Sequence, residues 1–473
     1  AQPSWLHPRL RFFIGREHKL PVDQNSFMAL IAPRGLMLST AITEGASNPW
    51  GIEQAYHASQ KVYDFLGAKN NIAIRSRYGL HSISARDMED YIDFFDFVFK
   101  RNSQIPHNRL FYDYSFEKWL ALSGEKLNPA EFPEHHLTEL SGKAVTKAQW
   151  ETNKLKIKER IYWTLGDEPP GVTNSGPGSI ENSGQGEVGF GTFLTRPEAT
   201  PKMGRMNISP YNGFGDQLFG YLYYPRDEEG NLKDKNLPVV IYLHEYDYSK
   251  GFNSYHQVES FIQSVVGKGF AVFTYDMIGF GNRIEEGTRF YHRYPHWSQM
   301  GKMVTDVKGA VDALANLDFV DSGRIIVAGY ALGATAGIYA AATDERIAGV
   351  VSVAGFTPMR INTLDRGTEG IMAWSHLHGL MPRLGFFIGN ESRIPCDFNE
   401  VLASLAPRPV MVIAPEFDKD AHFEDIKNCV KQVDDIYNLY GAKQKVQLFA
   451  PNDINRFSAE MRDKMMEWLE KNF

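Results

Sequence analysis

The stretch Arg324–Gly355, RIIVAGYALGATAGIYAAATDERIAGVVSVAG, decides the fold. Its first apolar run predicts a buried strand, its middle a helix, and its last run a second strand. A tight turn, GYALG at residues 329–333, joins the first strand to the helix. Gly-x-Ser-x-Gly turns of this kind present a nucleophilic serine at the end of a strand. Here the middle residue is Ala331, which cannot attack a carbonyl, so the turn predicts a fold and leaves the activity open.

Strand and helix patterns alternate on both sides of this turn. LPVVIYLHEYD and FAVFTYDMIGFG predict strands, and MGKMVTDVKGAVDALANL predicts a helix between strands. ISPYNGFGDQLFGYLYYP predicts an antiparallel hairpin at the sheet edge. Such alternation is typical of an α/β fold, with a mostly parallel, doubly wound sheet covered on both faces. The run 325–342 could match a membrane span in length, but its glycines favour a buried strand, turn and helix.

The chain also contains an internal repeat. The segment HPRLRFFIGREHKLPVDQNSFMALIAPR, which begins at His7, aligns without a gap with MPRLGFFIGNESRIPCDFNEVLASLAPR, which begins at Met381, and more than half of the aligned pairs are identical. The offset in residue number between these two segments also relates Gly67 to Gly441 downstream. It relates Ala85 to Ala459 as well, and each of these residues opens a final amphipathic pattern. We call it the repeat offset, and we predict two copies of one architecture.

The repeat predicts three segments. Residues 1–105 are expected to be the C-terminal half of a first α/β-hydrolase domain, and residues 201–473 a complete second one. Residues 106–200 are expected to connect them, with helices and a loop rich in Gly, Pro and Ser. Two strands and two helices would leave their apolar faces uncovered. The missing N-terminal half of the first domain is expected upstream in the same polypeptide or in a companion chain.

The second copy has lost the residues that α/β-hydrolase chemistry needs. This design places a nucleophile at the turn, a carboxylate after a later strand and a histidine before the last helix. The nucleophile position holds Ala331, the acid position Asp418, and the histidine position Asn455, which cannot act as a general base. In the oxyanion loop, Glu245 would oppose a developing negative charge close to Leu332. We expect this domain to be naturally inactive.

The first copy keeps two of these residues. His81 corresponds to Asn455, and Glu44 to Asp418, at the repeat offset. A carboxylate that orients a histidine forms the proton-transfer half of a catalytic triad. We predict His81 as general base and then acid, and Glu44 as its orienting group. Asp23 and Asp397 also correspond, and a structural capping role is expected for both.

Composition excludes several classes of function. The formal net charge of −7 argues against nucleic acid or an anionic membrane as the main partner. Two cysteines, Cys396 and Cys429, exclude a disulfide framework and leave one pair open. The opening residues AQPSWLHPRL lack the pattern of a signal peptide.

The first copy resembles bacterial glucuronoyl esterases and related carbohydrate esterases through LPVDQNSFMALIAPRGLML, TEGASNPWG and GLHSIS. The second copy resembles dienelactone hydrolases and acetyl xylan esterases through YDMIGFG, YPHWSQMGKMVTDVKGAVDAL and GRIIVAGYALGA. It departs from their pattern at Ala331 and Asn455. The tandem arrangement is also similar to that of gut-bacterial pectin methylesterases, as an analogy of fold.

The resemblance implies a serine esterase that cleaves a methyl or larger alkyl ester of a uronic acid in a plant cell-wall polysaccharide. It implies no metal or cofactor, and a periplasmic or secreted location in a bacterium. The second domain would be a scaffold that frames the cleft. Two alternatives remain open: a non-catalytic polysaccharide-binding or assembly protein, and an engineered Ser-to-Ala variant whose site is in the second domain.

Overall fold

The computed structural model describes most of the 473-residue chain. The described residues are 7–42, 47–79, 81–135, 140, 146–170, 180–181, 200–208, 210, 218–253, 257–368 and 370–473.

Eleven strands and thirteen α-helices lie in the described residues. The strands are β1 Leu36–Ala41, β2 Ile72–Arg77, β3 Ile180–Glu181, β4 Met203–Ile208, β5 Gly220–Pro225, β6 Leu237–Leu243, β7 Ala271–Tyr275, β8 Val320–Tyr330, β9 Ile347–Val353, β10 Val410–Ile413 and β11 Val446–Phe449. The helices are α1 Gln24–Ala29, α2 Pro49–Phe65, α3 Ala85–Val98, α4 Phe116–Ser123, α5 Lys147–Leu165, α6 Gln257–Gly267, α7 Ile284–Gly287, α8 Phe290–Arg293, α9 Gln299–Ala315, α10 Leu332–Thr343, α11 Phe398–Ala403, α12 Phe423–Asn438 and α13 Ala459–Asn472.

Nine strands form the main sheet, in the order β11-β10-β9-β8-β6-β7-β5-β4-β3. The pairs from β11 to β7 are parallel, whereas β5, β4 and β3 are antiparallel to their neighbours. The predicted edge hairpin is therefore confirmed as β4 and β5. The predicted strand, turn and helix around residue 331 are confirmed as β8 and α10.

The sequence of β6 explains why helices cover both faces of this sheet. Every residue of this strand is buried. Val239 and Ile241 belong to the apolar cluster shared with α9 and α10, while Val240 and Tyr242 belong to the cluster shared with α6 and α13. Alternate side chains of a strand point to opposite faces, so a strand that is apolar throughout needs a helical layer on each side.

The first copy forms a separate parallel sheet of two strands, β1 and β2. Leu36 pairs with Ile72 there, and Val410 pairs with Val446 in the second copy, so both members of the pair are displaced by the repeat offset. Helices α12 and α13 begin at this same offset from α2 and α3. The spacing found in the sequence thus recurs in the strand register and in the helix starts.

The connector is held to both parts of the molecule. Helix α5 buries Trp150, Ile157 and Ile161 in the main apolar cluster, and Arg160 donates to Glu400 at 3.0 Å. The carboxylate of Glu53, on α2, accepts hydrogen bonds from the backbone amides of residues 111 and 112 at 2.8 and 2.9 Å. Backbone amides aimed at one buried carboxylate fix this part of the connector against α2.

None of the helices that the structure describes is both long and apolar enough to cross a membrane.

Candidate functional site

The turn after β8 keeps a strained backbone although it carries no nucleophile. Ala331 has φ 48° and ψ −115°, a conformation that a residue with a Cβ adopts at a cost of about 1–3 kcal/mol. Its amide donates to the Val353 carbonyl at 2.9 Å, which holds the turn against β9. Leu332 begins α10, so its N–H has no acceptor within the helix.

The glycines of the turn are required by close packing. A Cβ on Gly329 would lie 2.3 Å from the Gly333 carbonyl carbon, and a Cβ on Gly333 would lie 2.2 Å from the Leu243 carbonyl oxygen. The backbone of α10 therefore approaches β6 and β8 more closely than any side chain would permit. The turn retains the shape that presents a nucleophile.

The acid and histidine positions of the second copy are in direct contact. The Asn455 amide donates from Nδ2 to Asp418 Oδ2 at 3.0 Å, and the Tyr330 hydroxyl donates to Asn455 Oδ1 at 3.0 Å. Burial, together with the neighbouring Asp420 carboxylate, raises the pKa of Asp418 to about 6. An imidazolium beside Asp418 would favour its ionised form, and a neutral amide does so only by one hydrogen bond.

The loop after β6 is acidic at its outer end. His244 is fully buried and is committed to the fold, because its Nδ1 lies 2.7 Å from the Glu245 carbonyl oxygen and its Nε2 accepts from the Met277 amide at 3.0 Å. Burial lowers the pKa of His244 to about 4, so the ring is neutral near pH 7. Burial, and then the carboxylates of Glu245 and Asp418, raise the pKa of the Tyr330 hydroxyl. Carboxylates therefore lie near Tyr330, the residue directly before Ala331.

The two residues predicted for proton transfer in the first copy, Glu44 and His81, follow the carboxyl ends of β1 and β2 in the chain. His81 is exposed, in the loop directly before α3. Glu44 falls outside the described residues, between the end of β1 and the start of α2. The predicted capping roles are confirmed, since Asp23 caps α1 and Asp397 caps α11 with their carboxylates.

This edge of the first copy faces the second domain. The Ser249 hydroxyl donates to the Ser47 carbonyl at 3.3 Å, just before α2. Tyr78, in the loop that leads to His81, hydrogen-bonds to Glu285 on α7, and burial followed by this contact raises its pKa. Residues 42 and 284 pack together in a small apolar cluster. Residues 249, 284 and 285 of the second domain therefore lie against this edge of the first copy.

A cavity of about 70 Å³, open to solvent, lies along this contact. Its walls come from the first copy through Trp50, from the connector through Tyr112 and Lys118, and from the second domain through Tyr248 and Arg289. The histidine predicted as general base is not among the residues that line it.

Comparisons with known proteins agree with this geometry. A sequence profile described as glucuronyl esterase of fungi matches residues 1–67, and one described as serine aminopeptidase S33 matches residues 249–415. A carbohydrate esterase from an unknown prokaryotic organism is 31% identical over 109 residues, which cover 20% of this chain. The chain spans 25% of that relative's length.

Solved structures resemble the larger part of the chain. A glucuronoyl esterase from Solibacter usitatus aligns with a TM-score of 0.54 at 14% identity, and covers 73% of this chain and 100% of its own. A family 15 glucuronoyl esterase from Caldicellulosiruptor kristjansonii aligns with a TM-score of 0.53 at 16% identity, over 75% of this chain and 92% of its own. The chain has an α/β-hydrolase fold.

The sequence predicts Ala331, Asp418 and Asn455 as the three site positions of the second copy, but it does not predict the role of their neighbour Tyr330. Tyr330 was visible only as the variable residue of the turn, although its hydroxyl completes the polar chain to Asn455 and Asp418. The sequence feature that could have identified this residue is a bulky tyrosine directly before the position that lacks a nucleophile. Trp50 was quoted only as part of a motif, and its place in a cavity wall depends on contacts that no local pattern reveals.

Proposed function

We propose that this protein is a carboxylic ester hydrolase that acts on a uronic acid ester of a plant cell-wall polysaccharide. His81 is the general base and then the general acid, and Glu44 orients it. The second α/β-hydrolase domain, which contains Ala331, is not catalytic and serves as a scaffold. The bond that breaks is the alkyl ester bond, and water releases the free uronate and the alcohol.

One observation carries this proposal: the contact between Asp418 and Asn455 at 3.0 Å. It indicates that side chains at the acid and histidine positions of this architecture meet at the carboxyl edge of the sheet. The first copy has a carboxylate and an imidazole at these two positions, Glu44 and His81. The shared strand register and helix starts support an equivalent pairing there.

The proposal includes a serine-bearing half-domain that completes the first copy, in the same polypeptide or in a companion chain. Support comes from exposed apolar side chains whose counterparts at the repeat offset are buried. Phe27 is 55% exposed and its counterpart Val401 is 0% exposed. Ile83 is 68% exposed and its counterpart Phe457 is 2% exposed. In the second copy these positions pack into the two apolar clusters of the main sheet, so we infer that the first copy packs onto a similar sheet.

The names of the relatives suggest the substrate. They denote esterases of carbohydrates and of glucuronoyl groups, and the first copy matches the profile of the latter. By the same resemblance we expect a periplasmic or secreted protein in a bacterium.

Ester cleavage by the intact protein, measured with methyl glucuronate and methyl galacturonate esters, tests the proposal. Glu44→Gln should lower kcat by roughly 10²-fold or more, since the imidazole loses its orienting charge. Ala331→Ser should add no activity, because Asn455 cannot take the serine proton.

The alternatives give other results. Turnover that is unchanged in Glu44→Gln, or absent from the intact protein, would favour a polysaccharide-binding function. Appreciable new activity in Ala331→Ser would indicate an engineered variant of an esterase whose site is in the second domain.

A further inference from the structure

The loop that carries His81 is held by an arginine at its start. Arg77, the last residue of β2, donates from its guanidinium to the backbone carbonyl of Tyr78 at 3.3 Å and to that of Ser82. These two carbonyls lie on either side of His81 in the chain. One rigid, planar group therefore ties together the two ends of the segment that contains the predicted general base.

Asp87 fixes this guanidinium in turn. Its carboxylate lies 2.8 Å from Arg77 Nε, and the side chains of Arg77 and Asp87 are 18% and 5% exposed. The same carboxylate accepts from the Ser84 amide at 2.7 Å, where α3 begins. Burial alone would raise the pKa of Asp87, but the hydrogen bonds from Ser84 and the charge of Arg77 hold this pKa below its ordinary value. Asp87 is therefore ionised at neutral pH, and the ion pair persists there.

The loop is shaped around the guanidinium. Gly79 has φ 125°, which favours glycine, and a Cβ there would lie 2.7 Å from Arg77 Nη1. A side chain at this position would therefore compete with the guanidinium for its space. The Tyr78 ring also packs edge-on against Phe111 of the connector, with ring centroids 5.0 Å apart. Both contacts restrict the backbone that leads to His81.

The second copy lacks this arrangement. At the repeat offset, Arg77 corresponds to Pro451, which has no charge. Asp87 corresponds to Met461, which is buried in the apolar cluster shared with α6 and α13. The ion pair is thus found in the copy that has a histidine, and it has no counterpart in the copy that has an asparagine. A role in folding alone would apply to both copies, so this difference favours a role tied to His81.

We propose that Arg77 is a positioning residue, which holds the loop between β2 and α3 so that the His81 imidazole stays in place for proton transfer. Its part in catalysis rests on the proposed function, whereas its hold on the loop follows from the contacts of its guanidinium. A general base works only within hydrogen-bond reach of the proton that it takes. Arg77 acts through His81 and not on the substrate, so its loss should lower kcat and leave KM nearly unchanged.

Hydrogen exchange of the full chain, followed by mass spectrometry, tests the hold on the loop without turnover. Amides of residues 78–84 should exchange about tenfold faster in Arg77→Gln than in the wild type, because the loop loses its charge-assisted hydrogen bonds and opens more often. The control is Arg101→Gln, which removes an exposed ion pair with Asp96 and should leave this exchange unchanged. Unchanged exchange in Arg77→Gln, or equal acceleration in Arg101→Gln, would overturn the inference.

Uronate ester hydrolysis separates positioning from folding. Arg77→Lys keeps a charge beside Asp87 but cannot reach both carbonyls, so the melting temperature should stay close to that of the wild type. Its kcat should fall by about tenfold and its KM change by less than about twofold, since misplacement of a catalytic group by about 1 Å can cost 10²-fold. In Arg77→Ala, added methylguanidinium should restore part of the lost kcat. Wild-type kcat in Arg77→Lys would overturn the positioning role.

The two proposals fail separately. Esterase activity that survives in Arg77→Gln, although the loop exchanges faster, contradicts the positioning role alone. An intact protein that hydrolyses no uronate ester contradicts the proposed function and, with it, the catalytic part of this inference. Faster exchange in Arg77→Gln would still support the hold of Arg77 on the loop in that case.

Discussion

At the scale of single residues, Asp418 is a buried carboxylate whose side-chain partner is a neutral amide. The residue is 8% exposed, and its carboxylate is met by the Asn455 amide where a histidine would bring a positive charge. Burial is the main cause of its raised pKa, and the hydrogen bond from Asn455 offsets only part of it. An acid position without its histidine is thus a source of instability near neutral pH.

The sign of the pH dependence follows from this shift. The pKa of Asp418 is about 6 in the folded protein, against an ordinary value of 3.8 for an aspartate, so folding favours the protonated form. Its contribution to stability is complete below about pH 4 and is lost as the pH rises through about 6. Between about pH 4 and pH 7, the free energy of unfolding of Asp418→Asn should rise by about 2–3 kcal/mol relative to that of the wild type. Urea unfolding at each pH measures this difference.

The matched control is Asp463→Asn, at an exposed position on α13, which should show no such gain. An Asp418→Asn difference that is constant across this pH range would mean that Asp418 ionises normally.

At the scale of elements, the turn before α10 has the backbone shape of a turn that presents a nucleophile, although Ala331 is not one. Close packing of the turn accounts for this shape. Gly333→Ala would place a Cβ 2.2 Å from a backbone oxygen of β6, which neither strand nor helix can relieve by a side-chain movement. We expect a loss of about 2–4 kcal/mol in the free energy of unfolding, measured by chemical denaturation.

Gly267→Ala, in α6, is the comparison. A Cβ at this position would meet no atom within 4 Å, and alanine is the better helix former, so stability should rise by about 0.5–1 kcal/mol. Equal effects of the two substitutions would contradict the packing argument.

Local patterns predicted the elements of this fold well and their contacts poorly. The turn at Ala331, the edge hairpin and helix α9 follow from apolar periodicity and glycine placement, and the structure confirms them. The Glu53 carboxylate that holds the connector was not foreseeable, because its partners lie 58 and 59 residues away. The cavity combines three segments that are distant in sequence, and only the folded chain brings them together.

At the scale of the whole molecule, the two copies bury the same positions to different extents. Ile92 on α3 is 58% exposed, whereas its counterpart Met466 on α13 is 5% exposed and packs on the main sheet. The first copy therefore lacks, within the described residues, the apolar partner that the second copy has.

Because of this difference in burial, we expect a substitution by glutamine to destabilise the protein at Met466 but not at Ile92. Met466→Gln should lower the free energy of unfolding by about 1–3 kcal/mol, because it buries an amide without a partner. Ile92→Gln should change it by less than about 0.5 kcal/mol. Urea unfolding of both variants measures this, and a cost for Ile92→Gln equal to that for Met466→Gln would show that α3 is already covered in the full chain.

The central claim is that the first copy alone retains proton-transfer chemistry. The most direct test is the kcat for uronate methyl ester hydrolysis by the intact protein, compared between His81→Ala and its positional counterpart Asn455→Ala. The account predicts a loss of at least about 10³-fold for His81→Ala, since the general base is removed, and less than about a twofold change for Asn455→Ala. A loss confined to Asn455→Ala, or full activity in His81→Ala, would contradict it.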